Sequence, residues 1–168
     1  YKVRPAPDEI PDCFETGTQN HECLAGLLGT MEYLETLSNP GLGTRRERLV
    51  SAMKNMEDYE AALGWRLIDG LKAIKGTTIH GISNPNRAAH RVPTISFTLA
   101  SQNSKDVASK LVEAGIYNWA GHSYALEPAK RIGVMEQGGV IRLGIAHYNT
   151  EEEITKTLQA VEKISLSK

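Results

Sequence analysis

Arg142 sits in the segment Val140-Ile141-Arg142-Leu143-Gly144-Ile145-Ala146, where it alternates with aliphatic side chains. In an extended strand that alternation sends Ile141, Leu143 and Ile145 to one face and Arg142 to the other, beside Gly144 and Ala146. Small neighbours leave the guanidinium accessible, and its planar fork matches a carboxylate bidentately. An arginine solvated on an open sheet face fits the same pattern, so spacing alone leaves carboxylate binding and plain solvation both open.

Two loops carry further candidates. Glu15-Thr16-Gly17-Thr18-Gln19-Asn20 precedes a helical stretch, and a glycine, a threonine hydroxyl and the free N–H groups of a helix start together suit an anion or a phosphate. An ordinary helix cap needs the same residue types. Ala120-Gly121-His122-Ser123-Tyr124-Ala125 is rich in groups that hydrogen-bond or move protons. Adjacency of His122 and Ser123 supplies neither a base in reach of the hydroxyl nor a third group to orient it, which argues against serine hydrolysis. The five histidines, His21, His80, His90, His122 and His147, show no HxH or HExxH spacing, and Cys13 and Cys23 lack a CxxC pairing, so no metal site is expected.

These residues must be positioned by the elements around them. Residues 1–15 carry Pro5, Pro7 and Pro11 among polar neighbours and read as an extended arm. Leu24, Leu27, Leu28, Met31, Leu34 and Leu37 recur at helical spacing from Asn20 until Ser38-Asn39-Pro40-Gly41. Gly26 and Gly29 inside that helix predict a close approach by another backbone. Thr44-Arg45-Arg46-Glu47 is a capping box opening a long helix, with a stripe from Leu49 through Met53, Met56, Leu63, Leu67 and Leu71 to Ile74. Its length suits a bridge between two layers or domains, with a coiled-coil partner as the competing reading.

Beyond Gly76 the period shifts towards two. Strands are expected at 77–82, 94–99, 116–120 and 140–145, and a helix capped by Ser104 and closed by Gly115 lies among them. A second capping box, Thr150-Glu151-Glu152-Glu153, opens the last helix. The fold class that follows is α/β, in the form of a two-layer α+β sandwich with helices on one side of a small sheet.

Composition bounds the function classes. The 168 residues carry 19 Lys+Arg against 20 Asp+Glu, a net charge of −1, with 40% hydrophobic and 23% charged residues. No basic excess argues for nucleic acid, no apolar run approaches the ~18 residues of a membrane span, and two cysteines fit a reducing, cytoplasmic setting. The chain opens at Tyr1 without an initiator Met, which suggests a processed or truncated protein.

Three ordered segments also carry a family resemblance. Phe14-Glu15-Thr16-Gly17-Thr18-Gln19-Asn20 with the helix after it resembles the FE-x-GT-x-N segment of the class V aminotransferase and cysteine desulfurase family. Gly115-Ile116 with Gly121-His122-Ser123-Tyr124-Ala125 is similar to its G-I…G-H-H-C-A loop. Val140 to Gly144 through Tyr148-Asn149-Thr150-Glu151-Glu152-Glu153-Ile154 resembles its R-x-S…Y-N-T-x-E-E-I ending.

The resemblance implies a fold-type I enzyme that uses pyridoxal 5'-phosphate as a homodimer. Residues 1–42 would end the large cofactor-binding domain, and residues 43–168 would form the bridging helix and the small C-terminal domain. It implies that Gly17, Thr18 and Gln19 meet the cofactor phosphate of the partner subunit, and that Arg142 binds the α-carboxylate of an amino-acid substrate. Trp119, His122 and Tyr124 would shape the substrate site.

Two departures qualify it. No lysine here follows a histidine, so the family's Schiff-base lysine is absent and the chain alone is expected to be inactive without the rest of its large domain. Tyr124 stands where one desulfurase group has its sulfur-accepting cysteine, and Trp119 where that group has a second carboxylate-binding arginine. A desulfurase-like lyase, a transaminase or an epimerase all remain open. The rival from another class is a non-catalytic ligand-binding or regulatory α/β module for a small acid, and a third reading is a dimerisation piece built on the long helix.

Overall fold

Helix-period stripes and two capping boxes fix the long helices, and they form where the sequence puts them. A computed structural model describes residues 4–15 and 17–167; Thr16 of the phosphate-loop motif and residues 1–3 of the arm lie outside the described residues. Contacts divide the chain into two units, Tyr1–Asn55 and Met56–Lys168.

In the first unit the arm is not extended throughout: Asp12–Phe14 closes a short 3-10 turn entered through Pro11. Helix α1 spans His21–Thr36, with the Asn20 side chain accepting the Cys23 N–H at 2.9 Å. The described residues supply no backbone for the close approach expected at Gly26 and Gly29, where nothing lies within 4 Å of a built Cβ. The helix buries none of its residues, and Leu24, Leu27 and Leu28 are about half exposed. Helix α2, Arg45–Ala73, starts at the expected box, with the Thr44 N–H donating to Glu47 and the Glu47 N–H to the Thr44 hydroxyl.

In the second unit a four-stranded antiparallel sheet forms from β1 (Thr77–His80), β2 (Thr94–Leu99), β3 (Trp119–Gly121) and β4 (Val140–Gly144), in the order β1-β2-β4-β3. Three helices complete it: α3 (Ser104–Glu113), α4 (Leu126–Arg131) and α5 (Glu151–Leu166). Ile95, Phe97 and Leu99 on β2 with Ile141 and Leu143 on β4 make the core face. Onto it pack Leu63, Leu67, Ile68 and Leu71 of α2, Val107 and Leu111 of α3, and Ile154 and Val161 of α5. Each such side chain, fully buried, stabilises the fold by about 1.5–3 kcal/mol. Gly70 belongs to this packing, since a Cβ there would overlap the Leu158 side chain.

Several local expectations need correction. The strand expected at 116–120 starts only at Trp119, because Gly115 and Ile116 still close α3: the Ile116 N–H donates to the Leu111 carbonyl at 2.9 Å. The strand expected at 77–82 ends at His80, and the one at 140–145 ends at Gly144. Asn103, not Ser104, caps α3, accepting the Lys105 N–H at 2.9 Å. Ser104 is the first helical residue, and its buried hydroxyl donates to the Gly139 carbonyl at 2.8 Å. A 3-10 segment at Pro85–His90 had no periodic signal. Nor do all helices share one side: Pro128, Ala129 and Ile132, in or just beyond α4, border a groove with Ser96 and Arg142 of the opposite face. Among the described residues no helix is long and apolar enough to cross a membrane.

Candidate substrate-anion site

The register of the sheet builds the site. Arg142 on β4 lies directly opposite Ser96 on β2 and Trp119 on β3, and Ser96 lies opposite His80 on β1. Directly opposed residues of an antiparallel pair point to the same side. His80, Ser96, Arg142 and Trp119 therefore form one transverse row on the face away from the core. Strand spacing of about 4.8 Å puts the Cα atoms of His80 and Arg142 about 10 Å apart.

Arg142 is exposed, and among the described residues it makes no hydrogen bond or ion pair. A groove of about 530 Å³ runs along the row, lined on the polar side by His80, Ser96, His122, Ser123 and Arg142 and roofed by Ile132 and its neighbours. No carboxylate lines it. An unpaired guanidinium in a groove without acids is arranged to receive an anion. The Nε2 atom of His80 and the hydroxyl of Thr98 are 3.0 Å apart, and burial lowers the pKa of the imidazole.

The loop after β3 is unusual in its backbone. Ala125 N–H donates to the His122 carbonyl at 2.7 Å across a tight turn whose two central residues, Ser123 and Tyr124, have φ of 48° and 61°. Left-handed backbone at a residue other than Gly costs roughly 1–2 kcal/mol, and two in succession are held only by a structure that gains from them. The turn leaves the Tyr124 side chain 100% exposed. Trp119, His122 and Tyr124 line a neighbouring depression of about 390 Å³, which shares His122 and Ser123 with the arginine groove. Thus Arg142 and His122 meet in one groove, and Trp119 and Tyr124 flank the next.

Two glycines set where this loop begins. A Cβ on Gly139 would lie 2.3 Å from the carbonyl carbon of Gly121, so β3 can pair with β4 at this register only because position 139 is bare. The far end of β4 is fixed by the Tyr148-Asn149-Thr150 motif. The Asn149 side chain accepts the Ala146 N–H at 2.8 Å and donates to Glu153, while Thr150 and Glu153 form the expected capping box of α5. These motif residues support the strand that carries Arg142.

In the first unit, Gly17 and Thr18 are exposed and Gln19 is half-buried immediately ahead of α1. A Cβ at Gly17 would meet nothing within 4 Å, and among the described residues no hydrogen bond engages the Thr18 hydroxyl. The loop thus presents a free hydroxyl and an unobstructed backbone at the start of a 16-residue helix, a donor set that fits a phosphate. His80 and Ser96 were not singled out from the sequence as site residues. The polar alternation Thr94, Ser96, Thr98 was the one signal for Ser96, and strand register, which sequence does not carry, puts both residues in the row of Arg142.

A family profile described as "Aminotransferase class-V" matches residues 6–157. The chain belongs to the class-V aminotransferase family. Among curated relatives it is similar to a probable cysteine desulfurase of Methanothermobacter thermautotrophicus, 31% identical over 94% of this chain and 35% of the relative. Among solved structures it is similar to the apo structure of a cysteine desulfurase from Thermococcus onnurineus NA1, with a TM-score of 0.76, 25% identity, and coverage of 92% of this chain and 34% of that one. The fold is also that of the Escherichia coli cysteine desulfurase CsdA, with a TM-score of 0.65, 22% identity, and coverage of 89% and 31%. This class-V chain spans about a third of the length of the relatives it matches.

Proposed function

We propose that the chain supplies the substrate-carboxylate arginine and a cofactor-phosphate loop to a homodimeric pyridoxal 5'-phosphate enzyme acting on an amino acid. On this reading residues 1–42 end the large domain, and residues 43–168 are the bridging helix and the small C-terminal domain. The observation that carries it is Arg142: exposed, without an acid partner among the described residues, and set in a groove that no carboxylate lines.

Arg142 holds the substrate carboxylate bidentately and so fixes the orientation of the α-carbon. Gly17, Thr18 and the first turn of α1 hold the phosphate of the partner subunit's cofactor, with Gln19 closing the loop. When bound, pyridoxal phosphate supplies an electron sink for bonds to the substrate α-carbon. Trp119, His122 and Tyr124 line the approach and select the side chain. Tyr124 bears a phenol where a thiolate would be needed to take sulfur from a substrate. Cys13 and Cys23 lie in the other unit, in the segment around the phosphate loop and the start of α1. We read the reaction as a desulfurase-like lyase, transaminase or epimerase step that needs no sulfur-accepting residue in this loop.

In the full-length enzyme, Arg142→Ala is expected to raise KM at least tenfold while leaving the cofactor absorbance unchanged; an unchanged KM would remove Arg142 from the substrate site. The isolated chain, lacking a lysine to link the cofactor, is expected to show no stoichiometric yellow complex. Sulfide release from free cysteine that survives Cys13→Ala and Cys23→Ala would restore direct desulfurase or lyase action on cysteine.

A further inference from the structure

We infer that the groove continues past Arg142 into a second polar subsite formed by Ser96 and His80, and that the substrate is an amino acid whose side chain ends in a polar, hydrogen-bonding group. This rests on the proposed role of Arg142 and extends it along the sheet.

The geometry gives the groove three zones. Arg142 takes the α-carboxylate at one end. Ala129, Ile132, Val134 and Val140 line the same groove and give it an apolar wall that suits methylene groups. Ser96 and His80 follow on the next two strands of the same row, about 5 and 10 Å from Arg142 at the Cα atoms. Among the described residues the Ser96 hydroxyl has no hydrogen-bond partner, so it is free to donate to a ligand. Nε2 of His80 pairs with the Thr98 hydroxyl at 3.0 Å, which leaves the other ring nitrogen, Nδ1, as a second hydrogen-bonding group beside the Ser96 hydroxyl. Burial lowers the pKa of this ring and so disfavours a fixed cation there. A hydroxyl and an imidazole nitrogen in the same row as Arg142 select a hydrogen-bonding terminus over a methyl group, because an apolar terminus would leave both groups unpaired.

The test uses two acids that lack an amino group and therefore cannot react, hexanoate and adipate, titrated calorimetrically into the full-length protein at pH 7.5. The six-carbon diacid is expected to bind at least tenfold more tightly than the six-carbon monoacid. Ser96→Ala and His80→Ala should each bring adipate close to the affinity of hexanoate and leave hexanoate within twofold, and His80→Gln, which keeps a hydrogen-bonding group, should recover part of the difference. Arg142→Ala should abolish both. Equal binding of the two acids, or a preference that survives both subsite variants while Arg142→Ala still abolishes hexanoate, overturns the second subsite and leaves the arginine reading standing. Hexanoate binding that is indifferent to Arg142→Ala, or no binding of either acid, overturns both. Ser96→Ala removes a single hydroxyl from a half-buried position, so it decides the matter even if His80→Ala perturbs folding.

Discussion

Replacing Gly139 by alanine tests whether one backbone contact holds the site together. The new Cβ would sit 2.3 Å from the Gly121 carbonyl carbon, where ordinary contact begins at 3.4 Å, so β3 must retreat by about 1.1 Å. The residue would also keep a φ of +85°. Left-handed strain of about 1–2 kcal/mol and overpacking of about 1–3 kcal/mol together predict a loss of about 2–5 kcal/mol. Gly138→Ala is the control. It bears the same strain, at φ +84°, but its nearest contact is the Asn103 side chain, at 2.8 Å, which can swing aside at a cost of about 1 kcal/mol in helix capping. Both variants lower the urea midpoint; they part at the site. Gly139→Ala should speed amide exchange along the pairing of Trp119–Gly121 with Val140–Arg142 and shift Trp119 fluorescence in a Trp65→Phe background, and Gly138→Ala should do neither. Equal exchange and emission in the two variants would refute the contact as the support of β3.

Other substitutions read other parts of the fold. Tyr124→Gly relieves a left-handed tyrosine and should raise thermal stability by about 1 kcal/mol while altering substrate preference; a lower melting temperature would show that the exposed ring has a stabilising partner. Thr150→Ala removes one half of the α5 capping box and should cost about 1 kcal/mol in urea unfolding. Hydrogen bonds from Arg48, then from Arg45, hold the Glu35 carboxyl below the usual glutamate range. Its stabilisation is therefore complete above the unfolded pKa and is lost as pH falls through the lower folded one. Glu35→Gln should flatten that acid limb in a pH series of melting temperatures, and an unchanged limb would exclude the pair as its source.

The parts of the fold legible in the sequence are those where one physical signal acts alone. Ile95, Phe97 and Leu99 alternate over a full strand, and β2 has the bounds that pattern gives. Thr44/Glu47 and Thr150/Glu153 announce two helix starts because a capping box satisfies backbone donors with residues three apart. Signals in competition mislead: Asn103 and Ser104 are both good caps, and the serine is drawn instead to the Gly139 carbonyl. The three residues of β3 are too few for alternation to fix its start, and the six of α4 are too few for a stripe to fix its bounds. Arg142 was readable because its neighbours on the strand are small or aliphatic. Its companions His80 and Ser96 were not, since they stand 62 and 46 positions away and only hydrogen-bond register unites them.

That transverse row turns the sheet into a ruler graduated in strand spacings of about 4.8 Å. Each graduation comes from a different stretch of chain: position 96 lies one step from Arg142, position 80 two steps on the same side, and position 119 one step on the other, so each can change without touching the arginine. A scaffold of this kind can diversify its ligands by independent single substitutions, with reach chosen by strand and chemistry by side chain. Engineering a new preference would start by choosing the strand.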